Sequence, residues 1–157
     1  MRTENMGFEF SLQGLLRVRE SFEKKEEQKL TLAIAELKRL HAILEEVRKQ
    51  LTSTAVRLYQ LLVRGTTGAD LHLLCLERIL LERGEETLAE SVRTALKEVQ
   101  AQLARYQAAK QKRKILDDLR EQQLALFLLA ERRKDQQKLD DAYLVGRTSH
   151  PTGKSVA

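Results

Sequence analysis

Leucine recurs with a seven-residue period over the first part of the chain. From residue 30 to residue 62 a leucine returns at every seventh position, and a second seam residue follows three positions after each. Glu, Lys, Arg and Gln fill most other places. This a/d pattern predicts a long helix whose narrow apolar seam needs a partner helix. The seam residues are Leu30, Ala33, Leu37, Leu40, Leu44, Val47, Leu51, Thr54, Leu58 and Leu61.

The partner helix is predicted to come from the same chain. Gly65 suits the left-handed position after a helix, and Thr67 with Asp70 resembles a capping box in which Asp replaces Glu or Gln. A short loop between two long amphipathic helices makes them antiparallel neighbours. We therefore predict an all-α protein in which two long helices form an antiparallel two-stranded coiled-coil hairpin.

The predicted organisation is a single coiled-coil domain followed by a tail. Gly84 costs about 1 kcal/mol relative to Ala in a helix, but we expect the second helix to continue through it. The predicted elements are a domain of residues 1–145, a helix over about 12–63, a turn over 64–68, a helix over about 69–145, and a disordered tail over 146–157.

The position of the turn also predicts a register. If the turn is centred near 66–67, residues whose numbers add to about 133 lie opposite each other. Leu37 then meets Leu96, and Leu30 meets Leu103. The polar stretch 23–29 then meets residues 104–110, where Leu and Val also give way to polar residues and alanine, so both helices lose their seam at the same level.

Composition and charge favour long helices and argue against a nucleic-acid partner. Charged residues make up 32% of the chain, aromatic residues 4%, and the one proline lies at position 151. Residues 65–104 carry 4 Lys and Arg against 7 Asp and Glu, whereas residues 105–157 carry 12 against 7. The net charge of +5 is small for a chain with so many charged residues, which argues against nucleic acid as the partner. A nucleic-acid-binding arm at Lys110–Lys114 remains an alternative.

No group of residues suggests catalysis, a cofactor or a metal ion. Cys75 is the one cysteine and lies in an apolar run. His41 and His72 have no nucleophile or ligand cluster beside them, and adjacent aspartates such as Asp117 and Asp118 point in different directions on a helix. We predict that the protein is not an enzyme. The chain has no apolar signal segment or membrane span, which makes the cytoplasm the default location.

Three stretches resemble the flagellar export protein FliJ family. They are FSLQGLLRVRE (10–20), KRKILDDLRE (112–121) and LLAERRKDQQKLDDAY (128–143). The resemblance follows almost the whole predicted hairpin, with its opening and closing motifs in the right order. The stalk proteins of virulence type III secretion are similar in layout. An injectisome stalk protein and a general coiled-coil scaffold therefore remain alternatives.

The resemblance implies a soluble component of the flagellar type III export apparatus, and hence a role in motility. Such a protein enters the pore of a hexameric, FliI-like export ATPase as a rod, like the central stalk of a rotary ATPase. It also contacts a FlhA-like export gate and escorts export chaperones. The implied location is the cytoplasm, peripheral to the inner membrane at the flagellar base, with no nucleic acid and no cofactor.

The resemblance also assigns two binding surfaces. The open end of the two helices is the implied ATPase-binding surface, and it carries Arg17, Arg19, Glu20, Arg132, Arg133, Asp135, Gln136 and Lys138. The flank nearer the turn is the implied gate-binding surface, and it carries Val47, Gln50, Leu51, Thr54, Leu71, Leu74 and Arg78. Two plainer interpretations stay open. Arg132–Lys138 can be a solvated helix surface, and the apolar stretch Leu71–Leu81 can pack against the first helix or a second copy.

Overall fold

The computed structural model describes residues 7–148, which form two α-helices. α1 is Gln13–Arg64 and α2 is Gly68–Thr148, and the part of the chain described contains no strand. The two helices pack against each other in antiparallel directions, which confirms the predicted hairpin. The chain divides into two compact units, Glu20–Lys110 and the remainder, so the single domain stays a prediction.

α2 continues farther than the sequence pattern indicates. It passes through Gly84 as an unbroken α-helix and ends at Thr148. The first three residues of the predicted disordered tail, 146–148, therefore belong to the helix. The rest of that predicted tail, residues 149–157, lies outside the described residues.

The turn between the helices has the predicted chemistry. Gly65 has a φ of +82°, in the left-handed region that glycine adopts without steric cost. The Thr67 hydroxyl accepts a hydrogen bond from the backbone N–H of Asp70 at 3.2 Å and donates one to its carboxylate at 2.7 Å. The first turn of α2 is thus capped by its own sequence.

The leucine seam of α1 faces α2 throughout the unit Glu20–Lys110. All ten predicted seam residues are buried or half-buried, and Leu44 and Thr54 are 3% and 2% exposed. Between Leu30 and Leu61 the other side chains are exposed, apart from half-buried Ile34. The heptad pattern of α1 therefore identifies its packing face correctly.

The seam of α2 differs from the predicted one in its distal half. Leu96 and Leu103, the predicted partners of Leu37 and Leu30, are 45% and 41% exposed at the edge of the interface. Ala95 is half-buried and Gln102 is 3% exposed, so these two residues occupy the seam instead. The physical reason is that the seven-residue repeat starting at Leu71 places 95 and 102 on the packing face and the two leucines beside it.

A polar layer crosses the interface at Gln102. Its amide Nε2 donates to the Glu26 carboxylate at 2.5 Å and approaches the Glu26 backbone carbonyl at 3.3 Å. Glu26 belongs to the polar stretch 23–29, but Gln102 lies before the predicted partner stretch 104–110, so the register at this level differs from the predicted one. Because a buried amide without a partner costs free energy, this contact favours one alignment of the two helices.

The second unit, of which residues 7–19 and 111–148 are described, has its own small core. Phe10, Leu16 and Leu116 are 7%, 1% and 9% exposed and pack together, with Phe8, Leu12 and Leu119 around them. The rings of Phe8 and Phe127 lie 5.7 Å apart. The residues before α1 therefore fold back onto α2.

Candidate protein-binding surfaces

The last turns of α2 form an exposed helical segment. Every side chain from residue 132 to residue 147 is exposed, whereas Glu131 is still half-buried. We call residues 132–147 the distal segment. Leu116 and Leu119, earlier in α2, pack with the residues around Phe10, whereas Leu126 and Leu139 are 68% and 66% exposed. The exposed side chains of residues 132–143 alone cover every side of the helix.

The beginning of the distal segment is strongly basic. Arg132, Arg133, Lys134 and Lys138 stand against one acidic residue, Asp135, over residues 132–138. Lys134 pairs with Glu131 at 2.9 Å and Lys138 with Asp135 at 3.5 Å, both within the helix. The hydrogen bond to Glu131, with the attraction of that carboxylate, raises the pKa of Lys134, so this side chain stays charged around neutral pH. The two arginines form no ion pair within residues 7–148.

The structure separates the predicted ATPase-binding residues into two places. Arg17 is exposed and Arg19 half-buried, and both lie next to Leu16, which packs on Leu116. Arg132 follows Leu116 by 16 residues, or about 24 Å along an α-helix. Five predicted residues, all exposed, lie together in the distal segment: Arg132, Arg133, Asp135, Gln136 and Lys138. Glu20, also exposed, belongs to the other compact unit.

Most of the predicted gate-binding residues are turned toward the interface between the helices. Thr54 and Leu74 are buried, at 2% and 4% exposure. Gln50 and Arg78 are exposed; Gln50 lies 3.5 Å from Glu46, and Arg78 pairs with Glu82 at 2.8 Å. The half-buried residues of the predicted set are Val47, Leu51 and Leu71. Besides Gln50 and Arg78, a surface contact near the turn can use exposed apolar residues outside the predicted set.

Such residues lie on the outer side of α2, one turn past its start. Leu73, Leu76, Ile79 and Leu80 are 65%, 44%, 45% and 68% exposed, and we call these four residues the outer stripe. The stretch Leu71–Leu81 is richer in apolar residues than one seam requires, because some of them lie outside the packing face. The available signal is the i, i+3, i+7 spacing of Leu73, Leu76 and Leu80, which repeats the heptad rule in a second phase.

The potential metal ligands of the described residues do not form a cluster. Within residues 7–148 no three His, Cys, Asp or Glu side chains are grouped so that they could hold a metal ion. His41 and His72 are both exposed, and Cys75 is half-buried. Neither described helix has a stretch long and apolar enough to cross a lipid bilayer.

The fold is that of a coiled-coil protein built from two long helices that pack against each other. The sequence profile of the flagellar FliJ protein family matches residues 8–148, which is nearly all of the described chain. The chain therefore belongs to the FliJ family, and the resemblance found in the sequence is confirmed. Membership indicates a component of the flagellar export apparatus. No curated protein and no solved structure matches the chain.

Proposed function

We propose that this protein is a non-enzymatic stalk of the flagellar type III export ATPase, with the distal segment inserted into the pore of the ATPase hexamer. The observation that carries the proposal is the exposure of every side chain over residues 132–147. An isolated helix of this length is only marginally stable in water, which favours a role completed by a surrounding partner. A ring surrounds an inserted helix on all sides and fits a helix that is exposed on all sides.

The charge of the distal segment supports an electrostatic fit to such a pore. Arg132 and Arg133 have no ion pair within the described residues, and they lie in sequence between Glu131 and Lys134, which pair with side chains 41% and 64% accessible. Pairs that are this accessible contribute little to stability and can be exchanged for contacts with a partner. An acidic or carbonyl-lined pore would attract this segment without fixing it rigidly.

Contact with the export gate is the second part of the proposal. Of the residues implied by the family resemblance, Gln50 and Arg78 remain accessible for that contact, because the other five face the helix interface. Escort of unladen export chaperones, and a cytoplasmic location peripheral to the inner membrane at the flagellar base, are supported by family membership alone. The flagellar family match also favours flagellar export over the injectisome.

The proposal is tested by adding the full chain to a purified hexameric flagellar export ATPase and measuring binding and ATP hydrolysis. The chain is expected to co-elute with the hexamer and to stimulate hydrolysis. The variant Arg133→Glu should weaken both effects. Lys97→Glu is the matched control, since it reverses an exposed cation in the unit Glu20–Lys110, away from the distal segment.

A further inference from the structure

The residues before α1 lie as a short strap against α2. We call residues 7–12 the strap; they contact the part of α2 that precedes the distal segment. Phe10 is 7% exposed in the small core that contains Leu116. The ring of half-buried Phe8 lies 5.7 Å from the ring of Phe127. Two phenylalanine side chains are therefore the anchors of the strap on α2.

The contacts that hold the strap on α2 are apolar. Within residues 7–148 no hydrogen bond or ion pair joins the strap to α2. The backbone of the strap is bonded instead to the first turn of α1, where the N–H of Gln13 donates to the carbonyl of Phe10 at 3.0 Å. Glu9 and Arg120 line the same groove but form no ion pair. Because apolar contacts have no fixed direction, the strap can leave α2 without breaking a hydrogen bond to it.

The packing around the strap is loose. A groove of about 710 Å³ lies between the strap and the side chains of Gln123, Leu126 and Phe127, and another of about 380 Å³ lies between the strap and Arg120. A close-packed interior leaves no spaces of this size. Burying two phenylalanines gains free energy of the same order as the conformational entropy lost when a segment of this length is fixed. We therefore expect the docked and released forms of the strap to lie close in free energy.

We propose that the strap is a releasable clasp, which detaches from α2 while the hairpin stays folded. Docked, the strap shields half-buried Gln123 and Phe127, which lie shortly before the distal segment. Released, it lengthens the uncovered part of α2 by about 14 Å, from residue 132 back to residue 123. Release therefore adds an aromatic side chain to the surface that is available for protein contact. This inference uses contacts within the chain and does not depend on the proposed ATPase contact.

The rate of thiol labelling in the full chain tests the clasp. Every chain carries Cys75→Ser, which removes the native thiol, and Leu119→Cys places a reporter against the core beneath the strap. This reporter is expected to react about tenfold more slowly than Leu139→Cys, at a 66% exposed position of the distal segment. It should react much faster than Leu44→Cys, a buried seam position that global unfolding exposes, and its rate should depend little on urea.

Removal of the two anchors provides the matched variants. Phe8→Ala/Phe10→Ala should raise the labelling rate of Leu119→Cys to about that of Leu139→Cys, with unchanged helicity by circular dichroism. Phe22→Ala removes a 52% exposed phenylalanine of α1 and should leave the labelling rate as it is.

The outcomes that overturn the proposal are distinct. If Leu119→Cys is labelled as slowly as Leu44→Cys and with the same urea dependence, the strap opens only when the hairpin unfolds. Gln123→Cys is a second reporter that removes no apolar contact, which covers the case in which Leu119→Cys itself loosens the strap. If both reporters react at the rate of Leu139→Cys in the chain with intact anchors, the strap does not shield α2. An unchanged rate for both reporters in the double anchor variant would contradict the clasp equally.

Discussion

Arg48 of α1 and Glu85 of α2 are joined by a hydrogen bond of 2.8 Å between the guanidinium Nε and the carboxylate Oε1. The two residue numbers add to 133, the register predicted from the turn. Nearer the turn, Arg57 pairs with Glu77 at 3.7 Å, which fits the same alignment within one residue. At the other end of this unit Gln102 contacts Glu26, so the pairing there is displaced by several residues.

The Arg48–Glu85 pair should contribute little to stability although it marks the register. Both side chains are accessible, at 50% and 32%, and Arg48 also pairs with Glu45 in its own helix. Exposed ion pairs contribute little to stability because water screens them. We expect Arg48→Glu to lower the unfolding free energy only slightly, and Arg48→Glu/Glu85→Arg to recover part of that loss. A double-mutant cycle from urea unfolding measures the coupling; a coupling as large as the loss caused by Leu44→Ala would contradict this expectation.

Leu44 should be far more important for stability than an exposed leucine of the same helix. Its side chain is 3% exposed in the seam, and Leu44→Ala should lower the unfolding free energy by about 2–3 kcal/mol. Ala retains helix propensity, so the loss reports packing between the helices. Leu32→Ala, at a leucine 71% exposed, is the control and should change stability by less than about 0.5 kcal/mol. Circular dichroism during urea unfolding provides the comparison, and equal losses would refute the assigned seam.

Acid should weaken the contact between the helices at Glu26. Hydrogen bonds from the Lys29 ammonium and from the Gln102 amide lower the pKa of Glu26 below its ordinary value of 4.5. A carboxyl whose pKa is lower in the folded state contributes stability that is present above pH 4.5 and lost as the pH falls through the folded-state pKa. The melting temperature should therefore drop on acidification below about pH 4.5.

Two variants distinguish the contribution of the Glu26 carboxyl from that of other carboxyl groups that titrate in the same pH range. Lys29→Met removes the larger of the two hydrogen bonds and should reduce the acid sensitivity more than Gln102→Leu does. The melting temperature of each variant is measured from pH 3 to pH 7 and compared with that of the wild type, which shows which variant is less sensitive to acid. If neither variant changed the slope, Glu26 would not contribute to the acid sensitivity.

Gln102→Leu should also raise stability at neutral pH. Gln102 is 3% exposed among apolar seam residues, and apolar seam residues pack more favourably than a buried amide. We expect a gain of about 1 kcal/mol, together with looser specification of the helix alignment. Thermal unfolding measures the gain, and distances between spin labels on the two helices measure the alignment. A loss of stability would mean that the bond to Glu26 outweighs apolar packing.

The α1 seam and the turn could be predicted because short-range rules determine them. A leucine at every seventh position identifies one helix face, and glycine and threonine at Gly65 and Thr67 have strong local preferences. The seam of α2 is harder to predict from the sequence. Leu96 and Leu103 lie next to the true seam and are more apolar than Ala95 and Gln102, which occupy it. Hydrophobicity alone could not select the correct phase; the contact with Glu26 on the opposite helix does.

The arrangement of the candidate surfaces could be predicted only in part. The charges of Arg132–Lys138 can be read from the sequence, but sequence alone does not show that they lie beyond the level at which Leu16, next to Arg17, packs on Leu116. The predicted gate-binding residues share a position along the hairpin but do not share one exposed face of it. They therefore include seam residues such as Leu74. Which face a residue occupies depends on the helix phase, and that phase is set by packing.

The central claim is that the distal segment binds the export ATPase, and the most direct test is stimulation of ATP hydrolysis by the full chain. The account predicts that the wild-type chain binds the hexameric flagellar export ATPase and accelerates hydrolysis, that Arg133→Glu loses most of both effects, and that Lys97→Glu retains them. Circular dichroism should be the same for all three chains. Full binding and full stimulation by Arg133→Glu would contradict the assignment of the distal segment, and no binding by the wild-type chain would contradict the stalk function itself.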